Sequence, residues 1–301
     1  MTVDEKNKYK LEFKSALDEL IQKLQPAISG KDGQWNIKGF IDIYKNIYTI
    51  SSDTKIISKI LEIHIFPEII KFAAHYGYSI VLAEKQNWYP DLTFIRKDNP
   101  DVKFAVDIKT TFRRSKTTAG FTLGSHGSYF IKRQGTKNIQ FPYSSYMGHY
   151  CLGIIYTRID CDNLKDTEII HVNELEEKGD IADPINDRQV INVDKLTSIT
   201  SQIKDFEFFV AEKWRIACDS QGSGNTANIG SITNINDLKN GNGVFANLGE
   251  EWFDEYWMNY GKVHIIRDDK SIPVRNIWDF LEFKNRKDLF DKVGNGAKRK
   301  K

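Results

Sequence analysis

The stretch YPDLTFIRKDNPDVKFAVDIKTT, residues 89–111, decides how the chain folds. It reads as two strands joined by the turn RKDNPD. Side chains alternate along a strand, so Phe104, Val106 and Ile108 share one face of the second strand while Ala105, Asp107 and Lys109 share the other. An acid and a lysine therefore project together, and the apolar neighbours anchor the strand in the core. Asp91 leads the first strand, and a hairpin brings it toward Asp107. Two carboxylates and an ammonium then converge at a sheet edge. A FAVDI strand is of the buried kind, where charge is tolerated only with a partner or a purpose.

That constellation suits phosphodiester hydrolysis. Paired carboxylates offer hard oxygen ligands to Mg²⁺, which keeps several waters and uses one or two protein carboxylates beside substrate phosphate. Such an ion neutralises charge growing at phosphorus and makes bound water more acidic. The lysine can stabilise the transition state or help position and deprotonate the nucleophile. Two acids alone repel, and the ion together with Lys109 removes that objection. An ordinary surface Asp-x-Lys pair is the plainer alternative. Glu62, in the apolar run IISKILEIHIF on a helix before the site, is a third carboxylate candidate, set against a solvent-facing glutamate. His64 and His75 lie on either side of Pro67 and are assigned to packing or surface roles.

Working outward, Leu11, Phe13, Leu17, Leu20, Ile21 and Leu24 recur at near-helical spacing over residues 4–25, with Pro26 as the stop. FIDIYKNIYTI (40–50) alternates as a hairpin. Ser52 or Asp53 caps a helix that Pro67 kinks or ends, and a second helical pattern from Glu68 to Tyr76 finishes at Gly77. YSIVLA, DLTFI, KFAVDIKT, YCLGIIYT and KWRIAC read as short strands, and EEWFDEYWMNYG (250–261) as an amphipathic helix ended by glycine. Residues 1–30 form an N-terminal helical extension, the polar stretch 160–206 an insertion, and 294–301 a disordered tail. The expectation is a single domain over 1–301, α/β or α+β, around a central mixed sheet.

A chain of 301 residues and 40% hydrophobic composition can bury a real core. Lys+Arg 43 against Asp+Glu 41 gives a net charge of +2, so any attraction to a polyanion must be local. Arg113, Arg114, Lys116, Lys132, Arg133 and Lys137 could line a phosphate track as a set. Cys151, Cys161 and Cys218 are odd in number and widely spaced, which excludes a disulfide framework and argues against structural zinc. The charged N-terminus MTVDEKNKYKLEFK has no apolar signal region, and no stretch approaches the ~18 apolar residues of a membrane span. A reducing, cytoplasmic setting is expected.

The run SQGSGNTANIGS (220–231) satisfies the dinucleotide pattern G-x-G-x-x-A in form only, since no helix follows it. A DNA-reading loop fits better. Gly222 and Gly224 let the backbone approach base edges, Asn225 suits a bidentate contact to adenine, and Thr226 offers a methyl to thymine. Gln86 and Asn87 precede Asp91 and would sit in a groove beside the cleaved strand.

With these residues in hand, the chain resembles the EcoRV-like type II restriction endonucleases of the PD-(D/E)xK superfamily. SSDTK, HYGY, QNWYPD, VDIKTT, FTLG, TKNI, YTR, NEL, GSGNT and NIGSI occur in the family's order over most of residues 50–260. The resemblance implies a restriction-endonuclease-like core, a central mixed sheet of about five or six strands flanked by helices, with a small dimerisation elaboration. It implies that Asp91 and Asp107 ligate Mg²⁺, that Glu62 is the auxiliary acid, and that Lys109 assists the attacking water. Gly222, Ser223, Gly224, Asn225 and Thr226 match the major-groove recognition loop, and Gln86 and Asn87 the minor-groove loop. Thr54, Thr111 and Lys137 match phosphate-side contacts.

The same resemblance implies a homodimer that cuts both strands of a palindrome. Because GSGNT is intact, the implied target is GATATC, cut bluntly at its centre to protect the host against foreign DNA. A methyltransferase that guards the host sequence is expected in the same system, without direct contact. Trp88 departs from the family pattern, where a polar residue stands. Two alternatives stay open: a nuclease of the same site type with another specificity, from repair or a mobile element, and a non-catalytic sequence-specific DNA-binding protein. Loss of an acid or of the lysine would mark the second, and Asp91, Asp107 and Lys109 are all present.

Overall fold

A computed structural model of the chain describes residues 2–44, 46–85, 87–159, 169–171, 199, 201–222 and 227–298. Helix α1 (Val3–Ile28) opens with a capping box in which the Thr2 hydroxyl accepts from Glu5 N and Thr2 N donates to the Glu5 carboxylate. It runs through Pro26 rather than stopping there. Pro26 and Gln22 are both exposed, so the Gln22 carbonyl that Pro26 cannot serve faces solvent. Strands β1 (Gly39–Ile41) and β2 (Asn46–Thr49) pair as the expected hairpin.

Helix α2 (Thr54–His75) is capped by Asp53, whose carboxylate accepts from Lys55 N and Ile56 N. The sequence predicts that Pro67 kinks or ends the helix; it does not end there but continues through Pro67 to His75. The Pro67 ring and Ile63 lie on the exposed side, so the orphaned carbonyl is hydrated and the buried side stays intact. Gly77, at φ +72°, supplies the left-handed residue that turns the chain into the sheet.

The sheet then builds as β3 (Tyr78–Leu82), β4 (Leu92–Arg96), β5 (Lys103–Arg114) and the short β6 (Thr117–Thr118). After β7 (Thr122–Ser125), α3 (Ser128–Ile131), β8 (Gly148–Arg158) and β9 (Ile169–His171), strand β10 (Ile203–Glu212) closes it. The order is β10-β8-β5-β4-β3, with β6 paired on β5. Strands β5 and β8 run parallel and the other neighbours antiparallel, the mixed sheet the sequence predicts.

Strand β10 corrects the reading of 160–206 as one insertion, because Ile203–Phe206 belong to the sheet and Ile203 and Phe206 are buried. KWRIAC is corrected too. Lys213–Ile216 form a 3₁₀ turn, and strand β11 (Ala217–Gln221) starts only at Ala217. Strand β11 pairs with β12 (Asn228–Ser231), which pairs with β7. The rest comprises α4 (Ile235–Asn240), α5 (Glu250–Asn259), the hairpin β13 (His264–Arg267) and β14 (Lys270–Pro273), and α6 (Ile277–Phe283).

Alternation along β5 divides the core. Phe104, Val106 and Ile108 join α1 and α2, while Ala105 joins Cys151, Phe209 and helix α5 on the other side. Phe13 of α1 stacks on Phe104 with ring centroids 4.0 Å apart, so the N-terminal helix is part of the core rather than an appended extension. At the other end, Lys298 N donates to Asp219 and its carbonyl accepts from Trp278, so the expected free tail from residue 294 is fastened as far as Lys298. Positions 299–301 of that expected tail lie outside the described residues.

Candidate active site

Strand pairing assembles the first part of the site. Leu92 stands opposite Val106 in the β4–β5 register, which sets Asp91, just before β4, beside Asp107 inside β5. Asp91 N donates to Asp107 Oδ1 at 3.2 Å, and Ile108 N donates to Asp91 Oδ2 at 2.7 Å. Each carboxylate is thus fixed by the backbone of the opposite strand. Lys109 Nζ lies 2.9 Å from Asp107 Oδ2. Beside them, β8 presents Cys151 opposite Asp107 and Gly153 opposite Lys109, so no bulky side chain crowds the pair from that strand.

The electrostatics follow from burial and proximity. Asp91 is pushed up to about 6, first by burial and then by the Asp107 carboxylate, with Lys109 and the Ile108 N–H pulling the other way. Burial works against the charge on Lys109, but Asp107 and Asp91 outweigh it and raise its pKa above the usual lysine range. Two acids this close, one of them short of positive charge, make a donor set that fits a hard divalent ion. Among the described residues, no three His, Cys, Asp or Glu side chains converge tightly enough to cage an ion alone. Mg²⁺ suits such a site, because one or two carboxylates suffice when water and phosphate complete its shell.

Asp91 also lines a cleft of about 910 Å³ on the α2 side of the sheet, together with Glu62, Thr54, Asn87 and Thr111. Asp107 and Lys109 project from the opposite face of β5 and do not line that cleft. Asp91 therefore stands at the rim shared by both groups. Glu62 is held by Lys59 at 2.7 Å, and Glu62 in turn adds to the upward push on Asp91. Thr111 is buried with a hydroxyl that has no partner among the described residues, while neighbouring Thr110 shares a short hydrogen bond with Ser58 of α2.

The other sequence candidates lie apart. Lys137 is exposed outside the cleft, although its neighbours reach the site: Tyr89 N donates to Asn138 O and Gln140 N donates to Tyr89 O. Gly222 marks the base of its loop, where its N–H donates to Asn228 O at 3.0 Å. Ser223, Gly224, Asn225, Thr226 and Gln86 lie outside the described residues. Trp88 is half-buried under the Lys85 ammonium, 5.3 Å from the ring centre. Two arginines of the expected phosphate track are committed elsewhere, Arg113 to Glu207 and Arg133 to Asp254. His64 accepts from the Trp35 indole at 3.0 Å.

Sequence reasoning missed three features. Lys59 carried a signal, a lysine one helical turn before Glu62. Lys213, only 3% exposed, was hidden by the strand reading of KWRIAC. Its Nζ has no hydrogen-bond partner among the described residues and sits 4.8 Å over the Tyr89 ring, two residues before Asp91. His126 spans the base of the glycine loop, its N–H donating to Ala227 O and its ring meeting Gln221 at 3.1 Å.

The mixed sheet flanked by helices is a restriction-endonuclease-like fold, and it carries the carboxylate pair and lysine at the start of β4 and on the central strand β5, not at the sheet edge that the sequence predicts. The comparisons with known proteins agree. The family described as restriction endonuclease EcoRV matches residues 31–189 and 179–285. The chain is also 34% identical over 246 residues to the type II restriction enzyme EcoRV of Escherichia coli, which covers 81% of this chain and 90% of that protein. This chain belongs to the EcoRV family of restriction endonucleases, and is a type II site-specific deoxyribonuclease. No helix among the described residues is long and apolar enough to cross a membrane.

Proposed function

We propose that this chain is a Mg²⁺-dependent endonuclease that cuts duplex DNA bluntly at the centre of GATATC, acting as a homodimer in the cytoplasm. The observation that carries the reaction class is the reciprocal pair of Asp91 and Asp107, with Lys109 held on it. The target rests on the string GSGNT (222–226) and on the similarity to EcoRV.

Asp91 and Asp107 would hold the ion, with Glu62 as the auxiliary acid on the cleft side. Mg²⁺ bound there supplies charge neutralisation at the phosphate and a more acidic water. Lys109, kept protonated by two carboxylates, serves as a fixed cation toward the attacked phosphate and its nucleophile. Thr54 and Thr111 offer hydroxyls to the backbone phosphates, with Lys137 as a flanking charge. Residues 222–226 read the major groove, and Gln86 with Asn87 the minor groove. Phosphate contacts carry no sequence information, so discrimination falls to base contacts and DNA bending coupled to metal binding. A companion methyltransferase protects the host sequence.

Digesting a sequenced plasmid with Mg²⁺ and sequencing the ends tests the reading. Discrete blunt fragments opening within GATATC support it. Fragments opening elsewhere overturn the target, a smear overturns site-specific restriction, and full cutting in chelator overturns the metal. Titrating Mg²⁺ against protein bound to cognate and scrambled duplexes tests the coupling, which equal affinities would refute.

A further inference from the structure

The match to the EcoRV family stops at residue 285, but the chain continues and returns to β11. Leu289 is buried, and Phe290 meets the Trp278 ring edge-on with centroids 5.4 Å apart. Gly294 N then donates to Val244 O at 2.9 Å, and Asn295 N to Asn242 O at 3.2 Å. Lys298 is held on both sides of its backbone. Its N–H donates to the Asp219 carboxylate at 3.0 Å, and its carbonyl accepts from the Trp278 indole at 2.8 Å. Residues 287–298 are therefore a strap whose far end is fixed against the strand that leads into residues 222–226.

Asp219, itself buried, gathers two cations around it. Ile277 N donates to the same carboxylate at 3.1 Å, and Arg275 stands two residues before it. Arg275 and Lys298 are both exposed, and neither makes an ion pair among the described residues. The nearby acids are already bonded: Asp219 to these backbone N–H groups, Asp279 to Arg267 at 2.6 Å, and Asp237 to Asn295 at 2.8 Å. From residue 293 to 301 the sequence holds Lys298, Arg299, Lys300 and Lys301 and no acid. A strand advances about 3.3 Å per residue, so Asp219 lies about 10 Å before Gly222. Positive charge without counter-charge thus begins close to the proposed DNA-reading loop, whereas Arg113 and Arg133 are tied to acids.

We propose, resting on the reading of 222–226 as the recognition loop, that Arg275 and the basic end of the strap, Lys298 to Lys301, form a phosphate-binding arm that holds the duplex backbone beside that loop. Contacts of this kind carry affinity and register rather than base identity. Each phosphate neutralised adds about 0.9 to the steepness with which log affinity falls against log salt, and a dimer carries two arms.

Fluorescence anisotropy of a labelled GATATC duplex, titrated with the full-length protein in chelator across a range of NaCl concentrations, reads the arm. The variant Lys298→Gln/Arg299→Gln/Lys300→Gln/Lys301→Gln should lower the salt slope by about 2 or more, at least one contact from each arm of the dimer. Arg275→Gln should lower it by about 2. Trp278→Phe keeps a ring beside Phe290 but frees the Lys298 carbonyl, and should give a slope between those of the wild type and the quadruple variant. A wild-type slope in either charge variant overturns the arm while the recognition loop stands. A lowered slope in the quadruple variant with Trp278→Phe unchanged marks loose attraction by a basic run and overturns the fastened arm. Cleavage of GATATC by Asn225→Ala at the wild-type rate overturns the reading of the loop, and the placement of the arm with it.

Discussion

Two lysines approach Asp107 from different parts of the molecule, and burial alone would treat them alike. Lys109 touches the Asp107 carboxylate and its pKa rises. Lys213 lies among the rings of Tyr89, Phe130 and Tyr143, 4.8–5.4 Å from their centres, with no carboxylate in contact among the described residues, and burial pushes it down to about 7. Distance to an acid decides the sign, since the desolvation penalty falls on both. One lysine is fixed as a cation at the site. The other sits at the boundary between its two forms, behind the tyrosine that leads into Asp91 and ahead of the strand that leads into residues 222–226.

The largest break in this comparison removes the acid that separates the two. Asp107→Ala takes the proposed metal ligand and the contact of Lys109 together, so plasmid cleavage should fall by about 10³-fold or more while circular dichroism stays native. Full residual cleavage would refute the site.

Next comes Asp91. Its pKa, raised to about 6 from an ordinary 3.8, means that the folded chain binds this proton more tightly than the unfolded chain does. Above pH 6 the ionised form costs stability, and that cost disappears as pH falls from about 6 toward 4. Asp91→Asn keeps an acceptor for Ile108 N and removes the charge. In chelator at pH 8 it should be more stable than wild type by about 2–3 kcal/mol, with the gap closing near pH 4. A pH-independent gap in urea unfolding would contradict the strained carboxylate. Lys109→Met works the other way, leaving Asp107 without its cation, and should cost about 2 kcal/mol in metal-free protein, below the full range for an enclosed pair because Lys109 is partly exposed.

Legibility in the sequence followed how local each determinant is. The alternation of Phe104, Val106 and Ile108 against Ala105, Asp107 and Lys109 needs only the period of a strand, and β5 shows it. The turn RKDNPD brought Asp91 to Asp107 for the same reason. What escaped depends on partners far along the chain. Residues 203–212 carry Lys204, Asp205 and Glu207 among their apolar positions, and only pairing with β8 makes them a sheet strand. Pro67 reads as a breaker because the exposed side of its helix cannot be seen from spacing. Lys213 reads as one polar residue of a strand, since the rings that enclose it come from residues 89, 130 and 143. Residues 223–226 lie outside the described residues, so the recognition loop remains an expectation from the sequence string and the family.

The smallest effect is also the sharpest test of Lys213. With a folded-state pKa near 7 and an unfolded value near 10.4, the unfolded chain is protonated across that window while the folded chain is not. Unfolding therefore takes up a proton, and raising the pH from 7 toward 10 stabilises the fold through this group by up to about 1.4 kcal/mol per unit. Below pH 7 both states carry the charge and the whole penalty of the buried cation is present. Lys213→Met removes this slope, and with it the downward pull of the Lys213 charge on the neighbouring His149 and Asp254. The variant should exceed wild type most at pH 7, and its advantage should shrink steadily in urea unfolding at pH 8 and 9. Parallel stability curves would mean that Lys213 keeps an ordinary affinity for its proton, and the contrast with Lys109 would then reduce to geometry alone.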